Sequence, residues 1–242
     1  MAKPGPKPKG KVKIEWSTNF AYAVGLLTAD GCLSKDGRHI DMTSKDKVQI
    51  FLFRKCLGLT TKVSQKYSGD GNLSYHTQFG DVLFYQFLES IGLTPAKSKT
   101  ISSLLIPRKY FLDFLRGYFD GDGSSYSYYD SVYKKSYRFY ISFTSASPKF
   151  FDWLRIEIDN SLNIKGSLAY NRNTPYIQLK FSKKEAVVLS KGMYYAKDIP
   201  CLRRKRLKIM QSMRVIEALK RKRLRWCRGG ESNSQSLAGT SS

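Results

Sequence analysis

The chain has 242 residues, enough for one large domain or two smaller ones around a shared core. Hydrophobic residues make up 41% and aromatics 14%, which excludes a disordered chain, and the longest apolar runs, FAYAVGLL and VLFYQFL, fall far short of the ~20 residues that span a bilayer. With 42 Lys and Arg against 19 Asp and Glu the net charge is +23, which points to a polyanionic partner, since each neutralised phosphate releases condensed counterions.

Residues 1–14, with AKPGPKPKGKVK, read as a flexible basic arm lacking the apolar stretch of a secretory leader. Ser17 or Thr18 is a suitable N-cap for a helix through NFAYAVGLLTA, and Gly31 releases the chain from it. Two short strands are expected at 32–35 and 38–43, joined at Asp36-Gly37 as a hairpin. A helix over 46–57 follows, with apolar Val48, Ile50, Phe51 and Phe53. Strands at 62–67 and 73–79 then flank the turn SGDGN, and a helix over 80–91 closes the unit.

After a linker at 93–107 the same order returns. Pro107 precedes a helix through RKYFLDFLRGYFDG. Strands at 124–129 and 136–144, a helix at 148–161, strands at 165–170 and 175–181 and a helix at 183–192 follow. The two halves, 15–92 and 108–199, are registered by four correspondences. Asp30-Gly31 matches Asp122-Gly123 at an offset of 92, and Thr43-Ser44 matches Thr144-Ser145 at 101. KVSQKY matches KGSLAY at 103, and Ala96-Lys97 matches Ala196-Lys197 at 100. The jump from 92 to 101 places about nine extra residues in the tyrosine-rich SSYSYYDSVYKKSYR. The fold class is therefore α+β, two pseudo-symmetric αββαββα repeats with antiparallel sheets.

A basic amphipathic helix is expected at 200–227, with apolar Leu202, Leu207, Ile209, Met213, Ile216 and Leu219. Residues 228–242 lack periodicity and read as a disordered tail. The charge is uneven: residues 1–13 carry five lysines and no acid, and 200–228 carry 12 basic residues and one acid. An anionic membrane would also attract such runs, but the interleaved Tyr, Gln and Asn favour nucleic acid. The four cysteines form no CxxC pair and lie far from His39 and His76, which argues against structural zinc.

Two motifs carry chemistry. Small residues four apart, Gly25 with Ala29 and Gly117 with Gly121, let two helices approach backbone to backbone. Each helix ends in an aspartate, Asp30 or Asp122, where the helix dipole already disfavours negative charge. Pairing the helices brings the carboxylates together, an arrangement that a shared divalent cation relieves. Oxygen donors of this kind, completed by substrate phosphates, suit Mg²⁺, with Mn²⁺ or Ca²⁺ as other occupants. Asp120 competes with Asp122, but its counterpart is Thr28, so symmetry selects Asp30 and Asp122 and leaves Asp120 a helix-end role.

The segments Ala23–Gly31 and Leu115–Gly123 resemble the LAGLIDADG signature, and the resemblance extends over roughly 16–210 through the order of elements. It identifies the chain with the single-chain, two-motif homing endonucleases of that family. It implies paired motif helices at the centre, a curved sheet from each half forming a saddle over DNA, and hydrolysis of both strands of a long asymmetric duplex site. It also implies a basic residue beside the metal in each half, at positions matching Lys97, with Lys99 a close rival, and Lys197. Where many members carry a polar amide at a strand end, this chain has Ser44 and Ser145.

Strand side chains alternate between faces, so one face of each sheet can read a groove. The candidates are Lys35, Arg38, Gln65, Tyr75 and Gln78 in the first half. In the second they are Tyr126, Tyr128, Arg138, Tyr140, Arg172, Asn173, Tyr176, Gln178 and Lys180. Arg suits guanine, and Gln or Asn suits adenine. The expected partner is double-stranded DNA, met by a pseudo-symmetric monomer without a membrane. Two other readings stay open on this scaffold: an RNA-splicing maturase, which makes intron RNA a second partner, and a DNA-binding protein that does not cut. The expected location is intracellular, in the cytoplasm or nucleoid of a prokaryote or in an organelle matrix.

Overall fold

This computed structural model describes residues 10–67, 69–170 and 174–234, without the side chains of Lys99, Arg223 and 225–234. The first half runs α1 (Thr18–Asp30), β1 (Gly31–Leu33), β2 (His39–Ser44), α2 (Lys47–Leu57), β3 (Ser64–Tyr67), β4 (Leu73–Gly80) and α3 (Val82–Ser90). A short α4 (Lys97–Thr100) lies in the connection. The second half repeats the order with α5 (Phe111–Asp122), β5 (Gly123–Tyr129), β6 (Tyr137–Ser145), α6 (Pro148–Leu162), β7 (Ser167–Tyr170), β8 (Ile177–Phe181) and α7 (Lys183–Met193). A long α8 (Arg203–Ser234) ends the described chain. Both sheets are antiparallel with equivalent orders, β1-β2-β4-β3 and β5-β6-β8-β7, so the expected αββαββα duplication is present.

Local chemistry sets these boundaries. The Ser17 hydroxyl accepts from Phe20 N–H at 3.1 Å, Asp46 from Val48 N–H at 3.0 Å and Asp81 from Phe84 N–H at 3.0 Å, each satisfying an orphan donor at a helix start. Gly58 ends α2 in the left-handed region at φ 66°. Asp81 also accepts from the backbone N–H groups of Lys11 and Val12, at 2.6 and 2.9 Å, and Val12 is buried. The end of the expected flexible arm, residues 10–14, is thus docked on the first half; residues 1–9 lie outside the described residues.

The connection at 93–107 is more than a spacer, because Leu93, Ile101 and Leu104 are buried in the shared core. The C-terminal helix, expected to stop at 227, continues to Ser234, beyond which the chain lies outside the described residues. On α8 the residues facing the body are Leu202, just before it, Ile209, Ser212 and Ile216, all buried. Ser212 meets Ser127 of β5 at 3.0 Å.

Candidate functional site

The two motif helices α1 and α5 form the seam between the halves, and their backbones touch. A Cβ on Gly25 would lie 2.1 Å from the Phe114 carbonyl oxygen, and one on Gly117 would lie 2.0 Å from that of Tyr22. One on Gly121 would meet Ala29 Cβ at 2.2 Å and an Asp30 carboxylate oxygen at 2.9 Å. All four small residues expected at the seam therefore lie in it, and only glycine fits at three of them.

This contact sets Asp30 and Asp122, the last residues of α1 and α5, beside each other. Burial raises the Asp30 carboxyl above its ordinary range, against the pull of a hydrogen bond from Gln49 and the charges of Lys205 and Lys97. Asp122 keeps solvent access, yet burial of the rest of the group and repulsion from Asp30 push it up to about 6. Two lysines oppose that repulsion. Lys97, itself buried, donates to the carbonyl of Gly31, directly after Asp30. Lys205 donates to the carbonyls of Phe119, Gly121 and Gly123 at 2.8, 3.2 and 2.7 Å, bracketing Asp122. Each lysine thus brings its positive charge to carbonyls at or just beyond the negative end of one motif helix. Burial lowers both ammonium groups, Lys205 to about 8.

Lys205 occupies the place expected of Lys197, which is corrected here. Lys197 is exposed on the loop before α8, where its carbonyl accepts from Arg206 at 2.8 Å. The internal repeat pointed to Lys197, but the second-half lysine comes from α8, outside the duplicated unit. A signal was nonetheless present. Leu202, Ile209, Ser212 and Ile216 mark the inward stripe of the helix, and position 205 falls on it, three residues after 202 and four before 209. A lysine on an inward stripe needs buried acceptors.

The surroundings of the aspartates differ. Beside Asp30 lies a polar cavity of about 590 Å³ lined by Ser44, Lys47, Gln49, Tyr75 and Arg204, among others. There Ser44 donates to Gln49 Oε1 at 3.0 Å, and Gln49 in turn donates to Asp30. The amide that sequence reasoning sought at the strand end is supplied from α2. At the offset that matches Ser44 to Ser145, Gln49 corresponds to Phe150, which is buried. The Asp122 cavity, about 220 Å³, is lined by Lys97, Tyr118, Thr144, Ser145 and Phe150, among others. Asp120 is buried beside this centre and also lines the Asp30 cavity; its Oδ2 accepts from Tyr22 Oη at 2.7 Å and from Leu202 N–H at 2.6 Å, tying the start of α8 to α5.

On the sheets, pairing register decides which side chains share a face. In the second half the rows Tyr126–Tyr140, Tyr128–Arg138 and Ser142–Lys180 lie opposite the core rows Ser125–Ile141–Phe181 and Phe143–Leu179. Tyr126, Tyr128, Arg138, Tyr140, Gln178 and Lys180 therefore occupy the open face as expected. Tyr176 is exposed beside Thr144 and Gln178, and Arg172 and Asn173 lie outside the described residues. Arg138 is already engaged, at 2.9 Å, by Asp130.

In the first half Gln78 lies on the open face with Asp41, and Lys35 and Arg38 are exposed around the β1–β2 turn. Gln65 and Tyr75 require correction. They pair with each other, and Tyr75 pairs with Ser44, in phase with the core-facing Met42, Thr77 and Phe79, so both point to the helix side. Lys47 of α2 sits 5.6 Å from the Tyr75 ring centroid. The open face instead carries Asp41, Thr43, Ser64, Lys66 and His76.

Comparisons with known proteins agree with this geometry. Residues 110–191 match the family model of a LAGLIDADG-like domain. No curated protein matches the chain significantly in sequence. Among solved structures, the LAGLIDADG homing endonuclease I-GzeII in complex with its DNA target is similar at TM-score 0.58 and 11% identity, over 94% of this chain and 99% of that one. The homing endonuclease I-WcaI bound to its DNA recognition sequence is similar at TM-score 0.57 and 12% identity, over 80% and 88%. Full-length DUF199/WhiA from Thermatoga maritima is similar at TM-score 0.54 and 16% identity, over 93% and 70%. At such identities the likeness is one of fold.

Proposed function

From a two-repeat chain whose second half matches a LAGLIDADG-like domain and whose fold is similar to that of LAGLIDADG homing endonucleases, we propose a site-specific homing endonuclease that hydrolyses both strands of a long asymmetric DNA duplex with a divalent metal. The observation that carries this reading is the pair of carboxylates at the seam, both raised by burial, Asp122 also by repulsion from Asp30, and flanked by Lys97 and Lys205. Such a pair has no stabilising role that a neutral residue would not fill better, whereas a cation and a substrate phosphate make use of it.

The donor set fits Mg²⁺. Among the described residues no cluster of three or more His, Cys, Asp or Glu could hold a metal, and Mg²⁺ characteristically takes one or two carboxylates and completes its shell with water and phosphate oxygens. When bound, the metal supplies activation of a water and stabilisation of the leaving oxygen. Mn²⁺ or Ca²⁺ fits the same oxygens. Asp30 and Asp122 would hold it, with Gln49 orienting Asp30. Lys97 and Lys205 place positive charge where the scissile phosphates approach. Because both halves lie in one chain, the active unit is a pseudo-symmetric monomer, with the open sheet faces against the major groove. No helix of the described residues is long and apolar enough to cross a membrane. The reading places the protein with DNA, in the cytoplasm or nucleoid of a prokaryote or in an organelle matrix, and makes an intron-interrupted gene the source of its target. Nothing in the fold favours intron RNA over duplex DNA.

The test is incubation of the full chain with Mg²⁺ and the uninterrupted gene. Double-strand breaks at one site are expected, and Asp30→Asn and Asp122→Asn should each abolish them while binding at low salt persists. Undiminished cutting by either variant would overturn the metal assignment.

A further inference from the structure

The two halves differ most in their first hairpin. β1 has three residues and β5 has seven, and the interval between the matched core positions, Leu33 to Ile40 against Ser125 to Ile141, is nine residues longer in the second half. The extra length is not slack. β5 and β6 pair without a break from Gly123↔Phe143 to Tyr129↔Tyr137. Beyond them Asp130 Oδ1 accepts from Val132 N–H and Tyr133 N–H, both at 3.0 Å, while its Oδ2 accepts from Arg138 Nε at 3.0 Å. These bonds fix the tip before any partner arrives, which cuts the entropy lost on binding.

The surface of this extension is built for a polyanion with flat rings. On its open face Tyr126 stacks on Tyr140 at 5.0 Å between centroids and on Tyr128 at 6.5 Å, and the Lys180 ammonium lies 4.3 Å from the Tyr140 centroid. At the tip Val132 and Tyr133 are 78% and 68% exposed, followed by exposed Lys134 and Lys135. Large apolar groups left in water beside cations, on a rigid ribbon, are poorly explained by folding alone.

We propose that the β5–β6 hairpin is an added DNA-reading arm, which makes the second half contact about four more base pairs of duplex than the first. Four extra strand residues lengthen the open face by about 14 Å, and a two-stranded ribbon fits the major groove, where successive base pairs are about 3.4 Å apart. The Tyr126–Tyr140–Tyr128 ladder offers apolar ring faces to thymine methyl groups and hydroxyls to base edges. Lys134 and Lys135 meet phosphates at the outer end. The inference rests on the proposed DNA reading and adds an asymmetry to it.

The experiment selects duplexes from a pool of 40-base-pair DNA randomised at every position, using the full chain without divalent metal. Sequence preference should extend about four base pairs farther from the centre on one side. Replacing residues 128–138 by Asn-Gly should remove that excess and leave the other side unchanged. Lys134→Ala with Lys135→Ala, both exposed and free of packing, should lower the slope of log affinity against log salt by about 2. Equal extents on both sides, or a shortened hairpin and a lysine pair that leave preference and slope unchanged, would overturn the arm and spare the cutting proposal. A chain that selects no sequence from the pool overturns both.

Discussion

Replacing Gly117 by Ala pits two effects of opposite sign against each other. In a helix interior this change by itself favours the helix by about 1 kcal/mol. At this site the new Cβ would lie 2.0 Å from the Tyr22 carbonyl oxygen, 2.9 Å from its carbon and 3.1 Å from Leu26 N. A carbon rests about 3.3 Å from a carbonyl oxygen even in a close contact, so the helices must part by about 1.3 Å. The obstacle is backbone, which has no rotamer to turn away. Parting also opens the core on either side of the seam, where Phe114, Leu115, Ala23 and Leu26 are buried. Overpacking of this kind costs about 1–3 kcal/mol when side chains can yield, and more where they cannot, so a net loss of about 4 kcal/mol is expected. For a chain of this size that lowers the melting temperature by about 10 °C. The assay is thermal unfolding of the full chain, beside duplex cutting, which should fall more than binding because Asp30 and Asp122 move apart. A Gly117→Ala protein that melts at or above the parent temperature would refute the close contact.

Four further outcomes are expected. Asp122→Asn should stabilise the metal-free protein: the folded carboxyl titrates near 6 against an ordinary 3.8, so its ionisation opposes folding. The sign runs opposite to that of a salt-bridged acid: the penalty is absent below about pH 4, grows from there to about pH 6 and is complete above it. Full conversion gives about 3 kcal/mol, and solvent access reduces this to about 1 kcal/mol, read as a gain of a few degrees in melting temperature at pH 8 and none at pH 4. Lys205→Met should slow cutting by about 100-fold and Lys197→Met by less than twofold; equal effects in single-turnover assays would return the role to Lys197. Gln49→Ala removes the hydrogen bond that holds the Asp30 carboxyl down, so the acid limb of the cutting profile should move to higher pH; an unmoved limb would sever the two residues. Asp120→Ala should loosen the start of α8 and reduce cutting through Lys205, so its effect should shrink in a Lys205→Met background; full additivity in that double-mutant cycle would show the two to be independent.

The parts of the fold legible in the sequence were those written twice. A repeat doubles the signal for each boundary, and a cap such as Ser17 or a glycine such as Gly31 acts through chemistry visible in a few residues. The paired aspartates were legible for the same reason, since Asp30 and Asp122 close equivalent helices. What the duplication does not contain was harder to place. Lys205 comes from a helix appended after the second repeat, and matching halves led to Lys197 instead. Gln49 was missed because its counterpart is Phe150, so symmetry gave it no support. The placing of Tyr75 with Gln78 on one face failed on parity: residues three apart on a strand point to opposite sides, and Phe79 and Thr77 already fixed the core phase. Val12 was hidden because its anchor, Asp81, caps a helix far along the chain.

The origin of Lys205 bears on how the molecule is made. Ribosomes release a polypeptide from its N-terminus onward, so both aspartates, Lys97 and both sheets emerge before α8. Until that last helix docks, with Leu202 N–H on Asp120 and Lys205 on the carbonyls around Asp122, the centre holds its acids with one of its two cations missing. A half-made chain, or one clipped ahead of residue 203, should grip a duplex without severing it.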